Sequence, residues 1–171
     1  NFFALDVGTD ALRMVELSKT SSQGWALEHF AYVQVSRQIL QDSSDAGKRR
    51  LGEAIKQAAE QAGIKTKKVA IGLPSNKTFT TIIEIPTQDT KSMDKIIKYH
   101  EDQYIPMPID DATVDYVILG PSPNDPQVTE VLLSSTASAY AEDRMECLEA
   151  VGFDLIAAEP DSIAMSRALT P

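Results

Sequence analysis

One pattern occurs twice in this chain, and it constrains the fold more than any other feature of the sequence. A helical run ends in Gly, one apolar residue follows, and a strand-like run comes next. The pattern lies at residues 59–71 (AEQAGIKTKKVAI) and again at residues 148–158 (LEAVGFDLIAA). Gly63 can adopt the left-handed conformation that ends a helix, and Ile64 supplies the apolar contact that accompanies such an end. The repeat predicts two α/β lobes, with the second inserted in the first and the chain returning to the first at about 154.

Apolar periodicity predicts the elements of the first lobe. In the second strand, Leu12, Met14 and Glu16 fall on one face, because successive side chains of a strand alternate. A polar stretch leads from the third strand to an amphipathic helix, whose stripe runs through Leu51 and Ile55. The predicted elements are strands at 2–7, 11–18 and 25–35, a helix at about 48–62 and a nearly all-apolar strand at 67–74.

The remaining residues predict a second lobe of βαββα order and a final strand and helix. The final helix begins at Asp161, which is predicted to cap it. The predicted elements are a strand at 78–86, a helix at about 90–104, strands at 113–120 and 129–137, a helix at about 139–151, a strand at 154–160 and a helix from 161.

Charge and composition exclude several classes of protein. A net charge of −9 disfavours a nucleic-acid partner, which needs clustered Lys and Arg. The single cysteine, Cys147, excludes a disulfide framework and fits a reducing compartment; its place in a predicted helix indicates packing or surface. No apolar run reaches the length of a membrane span, and no signal-peptide pattern precedes the first strand. We expect a cytoplasmic protein that contacts the membrane only through a partner, and a native chain that continues beyond residue 171.

Most residues that often carry chemistry have a structural interpretation here. The sequence contains no GxxxxGK[ST], GxGxxG, CxxC or HExxH motif. His29 and His100 are expected to be structural histidines. The acidic pairs at residues 110–111 and 142–143 are expected to cap or complement helix starts. No catalytic residue is therefore predicted.

One turn has two interpretations. Asp6-Val7-Gly8-Thr9-Asp10 follows a buried strand and can form a plain hairpin turn. It can also hold a terminal phosphate with backbone N–H groups and the Thr9 hydroxyl, while Asp6 holds Mg²⁺ through water.

The order of elements around this turn resembles the actin-like ATPase superfamily. Four stretches narrow the resemblance to the PilM family of type IV pilus assembly and its FtsA-type relatives. They are LDVGTDALRMVEL, DQYIPMPIDD, the DYVILGPS to VLLSS hairpin, and DRMECLEAVGF leading to AEPDSIAMSRAL. The resemblance implies an α/β fold with mixed sheets. Residues 1–74 and 154–171 would form an actin-like, ribonuclease H-like subdomain IA, and residues 75–153 an inserted FtsA-type subdomain IC.

The resemblance also implies ligands and partners. PilM-like proteins bind ATP with Mg²⁺ and capture the N-terminal cytoplasmic tail of the inner-membrane protein PilN in a groove involving IA and IC. The implied phosphate contacts are Asp6, Gly8, Thr9, Asp10 and Arg13. Asp10 replaces a hydroxyl of the family pattern, and no second phosphate loop follows within the chain. We therefore expect no appreciable ATPase activity from these residues alone.

The stretch YIPMPI is a candidate contact for the tail. Two prolines order an extended segment before binding, which reduces the entropic cost of docking. The alternative is that Ile105, Met107 and Ile109 fill the core between a helix and a strand. The candidate groove residues are Tyr104, Ile105, Pro106, Met107 and Pro108.

Other partners and functions stay open. Pilus motor or platform proteins and a second copy of the chain are further candidate partners. An FtsA-like division protein, or an ATP-hydrolysing or kinase member of the superfamily, is the alternative function. Glu159 and Asp161 could order a Mg²⁺-bound water in such an enzyme, although helix capping is the simpler interpretation.

Overall fold

The computed structural model describes residues 1–21, 24–86, 95–96 and 103–170. By packing, they form two compact units. Unit 1 comprises Asn1–Ser75 and Glu142–Pro171, and unit 2 comprises Asn76–Ala141. The predicted helix at 90–104 lies mostly outside the described residues, and His100 lies wholly outside them.

Eight described strands form two sheets. The first sheet has the order β3-β2-β1-β4-β8; β2 is antiparallel to both neighbours, and β1, β4 and β8 are parallel. The second sheet has the order β5-β7-β6 and is antiparallel. The strands are β1 Phe3–Val7, β2 Ala11–Lys19, β3 Trp25–Gln34, β4 Lys68–Leu73, β5 Thr78–Pro86, β6 Ala112–Pro121, β7 Val128–Ala137 and β8 Asp154–Pro160.

Four α-helices are described: α1 Arg37–Gln41, α2 Asp45–Gln61, α3 Ser138–Glu149 and α4 Asp161–Leu169. Helix α1 was not predicted, since its stretch is mostly polar. It is anchored by Leu40, which is 6% exposed. No helix in the described part of the chain is long and apolar enough to cross a bilayer.

The core of unit 1 lies on one face of the first sheet. On β2 the predicted alternation is confirmed: Leu12, Met14 and Glu16 are buried, whereas Arg13 and Val15 are exposed. Helix α2 buries its predicted stripe. The other large side chains that are almost fully buried in this unit are Phe3, Leu5, Ile55, Val69 and Leu148.

The repeated helix end is confirmed at both positions. Gly63 has φ of +79° and Gly152 has φ of +84°. The N–H groups of Gly63 and Ile64 donate to carbonyls near the end of α2, at 3.1 and 3.0 Å. The N–H groups of Gly152 and Phe153 likewise donate to carbonyls near the end of α3, at 2.9 and 3.0 Å. Ile64 and Phe153 are both buried, so each end is closed by hydrogen bonds and an apolar contact.

Helix α3 begins in unit 2 and ends in unit 1. Lys48 Nζ lies 2.7 Å from Asp143 Oδ1 and 2.9 Å from Glu146 Oε2. A Cβ on Gly52 would lie 2.8 Å from the Cys147 carbonyl, so glycine permits α2 and α3 to approach closely. Because α3 packs against α2, unit 1 resumes at Glu142. The sequence pattern placed this return at about residue 154. The assignment of these units to subdomains IA and IC stays a prediction.

The other face of β2 and β3 exposes a group of large apolar side chains. Phe30 is 67% exposed and Trp25 is 63% exposed. Lys19 Nζ lies 5.5 Å from the centre of the Trp25 ring. The group comprises Val15, Leu17, Trp25, Leu27, Phe30 and Tyr32.

Candidate functional site

The residues predicted to contact phosphate lie together at the turn between β1 and β2. The Gly8 N–H donates to the Ala11 carbonyl at 3.0 Å, which closes the turn. The Val35 N–H donates to the Asp10 carbonyl at 3.0 Å and ties the turn to the end of β3. Thr9 and Asp10 are exposed at its tip. The hairpin interpretation is therefore satisfied, and the tip leaves polar groups accessible to a ligand.

Arg13 lies beside this turn and neutralises Asp6. Its Nη1 donates to Asp6 Oδ2 at 2.9 Å, and the guanidinium lies 5.4 Å from the centre of the Tyr32 ring. A Cβ on Gly8 would come within 2.6 Å of Nη1, so the guanidinium occupies the space that a larger residue would fill. The hydrogen bond to Asp6 raises the pKa of Arg13, and the carboxylate of Asp10 acts in the same direction.

Strand register extends the site across the whole sheet. In β2, Arg13 pairs with Tyr32 of β3 on one side and with Asp6 of β1 on the other. Asp6 in turn pairs with Gly72 of β4. Gly72 pairs with Glu159 of β8. Nothing lies within 4 Å of a Cβ built on Gly72, so open space separates Asp6 from Glu159. Sequence reasoning missed Tyr32 and Gly72, because their place in this row depends on register between strands distant in sequence.

The predicted capping role of Asp161 is wrong. The N-cap of α4 is Pro160, and no side chain caps the helix. Instead, Asp161 Oδ1 accepts a hydrogen bond from the Ser75 hydroxyl at 2.6 Å. Glu159 forms an ion pair with Arg167 and does not cap the helix either. The Asp161 carboxylate therefore connects the start of α4 to Ser75, and the Glu159 carboxylate connects β8 to Arg167 of α4.

The residues at the turn fit a nucleotide only in part. Arg13 is one cation for a phosphate, and the Thr9 hydroxyl is one donor. Asp6 could hold Mg²⁺ through water once Arg13 turns from Asp6 to the phosphate. Asp10 adds a negative charge that phosphate disfavours. Among residues 1–21, 24–86, 95–96 and 103–170, no three metal-binding side chains cluster.

The second predicted site, residues 104–108, lies in unit 2. Ile105 is 5% exposed and belongs to a core with Ile83, Ile85, Val131 and Leu133. Tyr104 and Met107 are partly buried against the same core. For these residues the structure supports the packing interpretation.

Pro106 and Pro108 are exposed in the same segment. They are the residues of the segment whose side chains can reach a partner most readily. The assignment of this segment to partner binding stays a prediction.

The structure also tests the roles that the sequence predicted for three further residues. His29 is confirmed as structural, since its Nδ1 lies 2.9 Å from Oε2 of the buried Glu16. Cys147 is confirmed as a packing residue: it is 3% exposed, and burial raises the pKa of its thiol. The capping role expected for Asp143 is wrong, because α3 begins at Ser138 and Asp143 binds a lysine of α2 instead.

Solved structures of other proteins share this fold, among them the following two. The one described as the PilM-PilN type IV pilus biogenesis complex has a TM-score of 0.83 and 21% identity, over 98% of this chain and 49% of that chain. The other is the cytoplasmic domain of EpsL, an inner membrane component of the type II secretion system of Vibrio cholerae. Its TM-score is 0.57 and its identity 16%, over 95% of this chain and 58% of that chain.

The fold class predicted from the sequence is thereby confirmed: the chain is a mixed α/β protein with two sheets that shares the fold of these two structures. The profile of the family described as type IV pilus assembly protein PilM matches residues 4–170. This chain belongs to that family. It spans about half the length of the chain in the PilM-PilN structure.

Proposed function

We propose that this protein is a cytoplasmic component of type IV pilus assembly that binds the N-terminal cytoplasmic tail of a PilN-like inner-membrane protein. One observation carries the proposal: 98% of the chain shares its fold with a protein solved as a PilM-PilN complex, within a family matched over residues 4–170. The protein would lie at the inner membrane through this partner.

Calorimetry with a peptide tests the proposal directly. The peptide is the cytoplasmic tail of the PilN-like protein encoded in the same genome, and circular dichroism verifies that the protein is folded. Binding with a stoichiometry of one is the expected result. A folded protein that shows no binding at high micromolar peptide would overturn the proposal.

We also propose that the β1–β2 turn contributes the first phosphate contacts of an ATP·Mg²⁺ site. Arg13 would turn from Asp6 towards a terminal phosphate, Thr9 would donate to it, and Asp6 would hold the metal through water. ATP would supply the phosphate charge that these groups recognise. In this proposal, the residues of the turn bind and orient the phosphate and the metal.

Two variants at this turn test the nucleotide proposal. Asp6→Ala removes the proposed Mg²⁺ contact and should weaken ATP·Mg²⁺ binding, whereas Asp10→Asn removes a repulsive charge and should strengthen it. Binding is measured by equilibrium titration at fixed Mg²⁺. If the unmodified protein binds ATP·Mg²⁺ and Asp6→Ala binds it equally well, the phosphate contacts are wrongly assigned.

A further inference from the structure

The outer face of the first sheet carries a row of apolar side chains that crosses all five strands. Phe30 of β3 pairs in register with Val15 of β2, and Val15 pairs with Ala4 of β1. Ala4 pairs in turn with Ala70 of β4, and Ala70 pairs with Ala157 of β8. The row is uneven, because its large side chains lie on β2 and β3 and its small ones on the other three strands.

The exposed large side chains of β2 and β3 form a ridge. Phe30 is 67% exposed, Trp25 is 63% exposed and Tyr32 is 57% exposed. The ridge leaves roughly 600 Å² of apolar surface in water, since one aromatic side chain can bury about 150–250 Å². A specific interface buries about 800 Å² on each partner, so the ridge supplies most of one interface. It comprises Val15, Leu17, Trp25, Leu27, Phe30 and Tyr32.

A furrow of small side chains lies beside the ridge and is formed by Ala4, Ala70 and Ala157. Ala4 and Ala157 are exposed, and Ala70 is half-buried. Gly72 borders the furrow, and nothing lies within 4 Å of a Cβ built on it. The strands of the furrow, β1, β4 and β8, are parallel, and parallel strands are usually covered on both faces. The furrow therefore has room for apolar side chains from outside the sheet.

Because ridge and furrow lie side by side, a second copy of the chain can occupy both at once. A twofold axis parallel to the strands, between β2 and β1, places the ridge of each copy over the furrow of the other. Val15 then faces Ala4 of the second copy, and Phe30 faces Ala70 of the second copy. Sheets packed face to face lie about 10 Å apart, with their side chains interdigitated.

The charges beside the row fit the same arrangement. Arg13 pairs in register with Asp6, so the two residues lie on opposite sides of this axis. Each Arg13 therefore faces Asp6 of the second copy. Each Tyr32 faces the open space at Gly72 of the second copy. Opposite charges that meet twice across the axis favour a second copy as the occupant of this face.

The outer face of unit 2 lacks this self-complementarity. Ile82 and Val117 are exposed there, but Glu84 of β5 pairs in register with Glu130 of β7 beside them. A second copy on that face would bring carboxylates against carboxylates, which repel. The charge pattern therefore favours the face in unit 1 for contact between copies.

We propose that the ridge and the furrow form the interface of a symmetric homodimer of this protein. The inference goes beyond the proposed function, because it concerns a second copy and not the membrane partner. Arg13 and Asp6 serve either this contact or the phosphate contacts proposed above, so the dimer and the nucleotide-bound turn exclude each other.

Reversing one charge at a time tests the interface most directly. Asp6→Arg leaves only cations at the two contacts and Arg13→Asp leaves only anions, so each variant alone should dimerise at least tenfold more weakly. An equimolar mixture of the two variants should recover the dimer, because unlike charges then meet at both contacts. Sedimentation velocity over a concentration series measures the dimer, and circular dichroism verifies that each variant is folded. Glu53→Arg, at an exposed position of α2, makes the same change in net charge as Asp6→Arg and should dimerise as before.

Changes in the apolar part test the packing. Phe30→Thr removes an exposed side chain of the ridge but keeps a residue that favours strands. Ala4→Phe fills the furrow at an exposed position. Each should raise the dissociation constant of the dimer about tenfold. The control is Ile82→Thr, a comparable change on the outer face of unit 2, and it should leave the dimer unchanged.

Four results would overturn the inference. They are an unmodified protein that stays monomeric throughout the micromolar range, a dimer that persists in Phe30→Thr and Ala4→Phe, a charge-reversed mixture that stays monomeric, and a longer native chain that is monomeric because its own residues cover the face. A monomer that binds the tail peptide would leave the proposed function standing while this inference fails.

Discussion

Glu16 is a carboxylate on the buried face of an otherwise apolar strand. It is 7% exposed, and its Oε2 lies 2.9 Å from His29 Nδ1. The ring of His29 in turn lies beside Gly63, where a Cβ would be 3.3 Å from the ring, so the pair connects β2 and β3 to the end of α2. A polar group buried in this way is stable only with its partner.

We expect Glu16→Ala to lower the free energy of unfolding by about 2–3 kcal/mol, because it leaves a cavity and removes the partner of His29. Urea denaturation followed by circular dichroism measures the change. Glu53→Ala, at an exposed position of α2, is the control and should change stability little. Equal stability of the two variants would contradict a structural role for the pair.

The two glycines of positive φ that end helices, Gly63 and Gly152, allow a second residue-level prediction. Gly152 has φ of +84° and open space around a built Cβ, so strain alone opposes a larger residue there. Gly152→Ala should lower the free energy of unfolding by about 1–2 kcal/mol. Gly72→Ala adds a Cβ with equal room and no left-handed backbone, so it should be nearly neutral. Similar costs at both positions would refute the backbone explanation.

At the scale of elements, Lys48 of α2 forms ion pairs with Asp143 and Glu146 of α3. Hydrogen bonds to Asp143 and Glu146 raise the pKa of Lys48 above its ordinary value of 10.5. Because the folded state binds this proton more tightly than the unfolded state, the stabilisation is complete below pH 10.5. It is lost as the pH rises towards the pKa of the folded state.

Lys48→Met should therefore unfold at lower urea concentration than the unmodified protein near neutral pH, and the difference should shrink at about pH 11. Lys56→Met on the same helix is the control and should show no such convergence. Burial raises the pKa of the Cys147 thiol above its ordinary value of 9.0, and the charge of Lys48 lowers it, so the proteins are also compared in a Cys147→Ala background. A difference that persists unchanged at high pH would argue against the ion pairs as its cause.

Local patterns predicted most elements, because periodicity and helix-ending glycines act within one turn or strand. The alternation of Leu12, Met14 and Glu16 and the helix ends at Gly63 and Gly152 are examples. Helix α1 was missed because five residues are too few to show a helical period. The role of Asp161 was misassigned because its partner, Ser75, is distant in sequence.

Site features that depend on strand register could not be predicted. The position of Gly72 between Asp6 and Glu159 follows from the pairing of three parallel strands. The opposition of Glu84 and Glu130 likewise requires the register of β5 on β7, which no single-strand pattern contains. The sequence pattern predicted the turn at residues 6–10, whereas the residues beside the turn were identified only from the strand pairing in the structure.

On the scale of the whole molecule, the two units present different outward faces. The first exposes aromatic and aliphatic side chains on β2 and β3 together with Arg13 and Lys19, whereas the second exposes an apolar strip with acidic margins. Exposed apolar patches in folded proteins commonly mark interaction surfaces.

The exposed position of Trp25 determines what optical spectroscopy can observe. It is the only tryptophan of the chain, and 63% of it is exposed in the folded protein. Native emission should therefore lie near that of a water-exposed indole, and unfolding in urea should shift its wavelength little. A blue shift would instead indicate that another polypeptide has covered β3. Fluorescence thus reports occupancy of this face, while folding is better followed by circular dichroism.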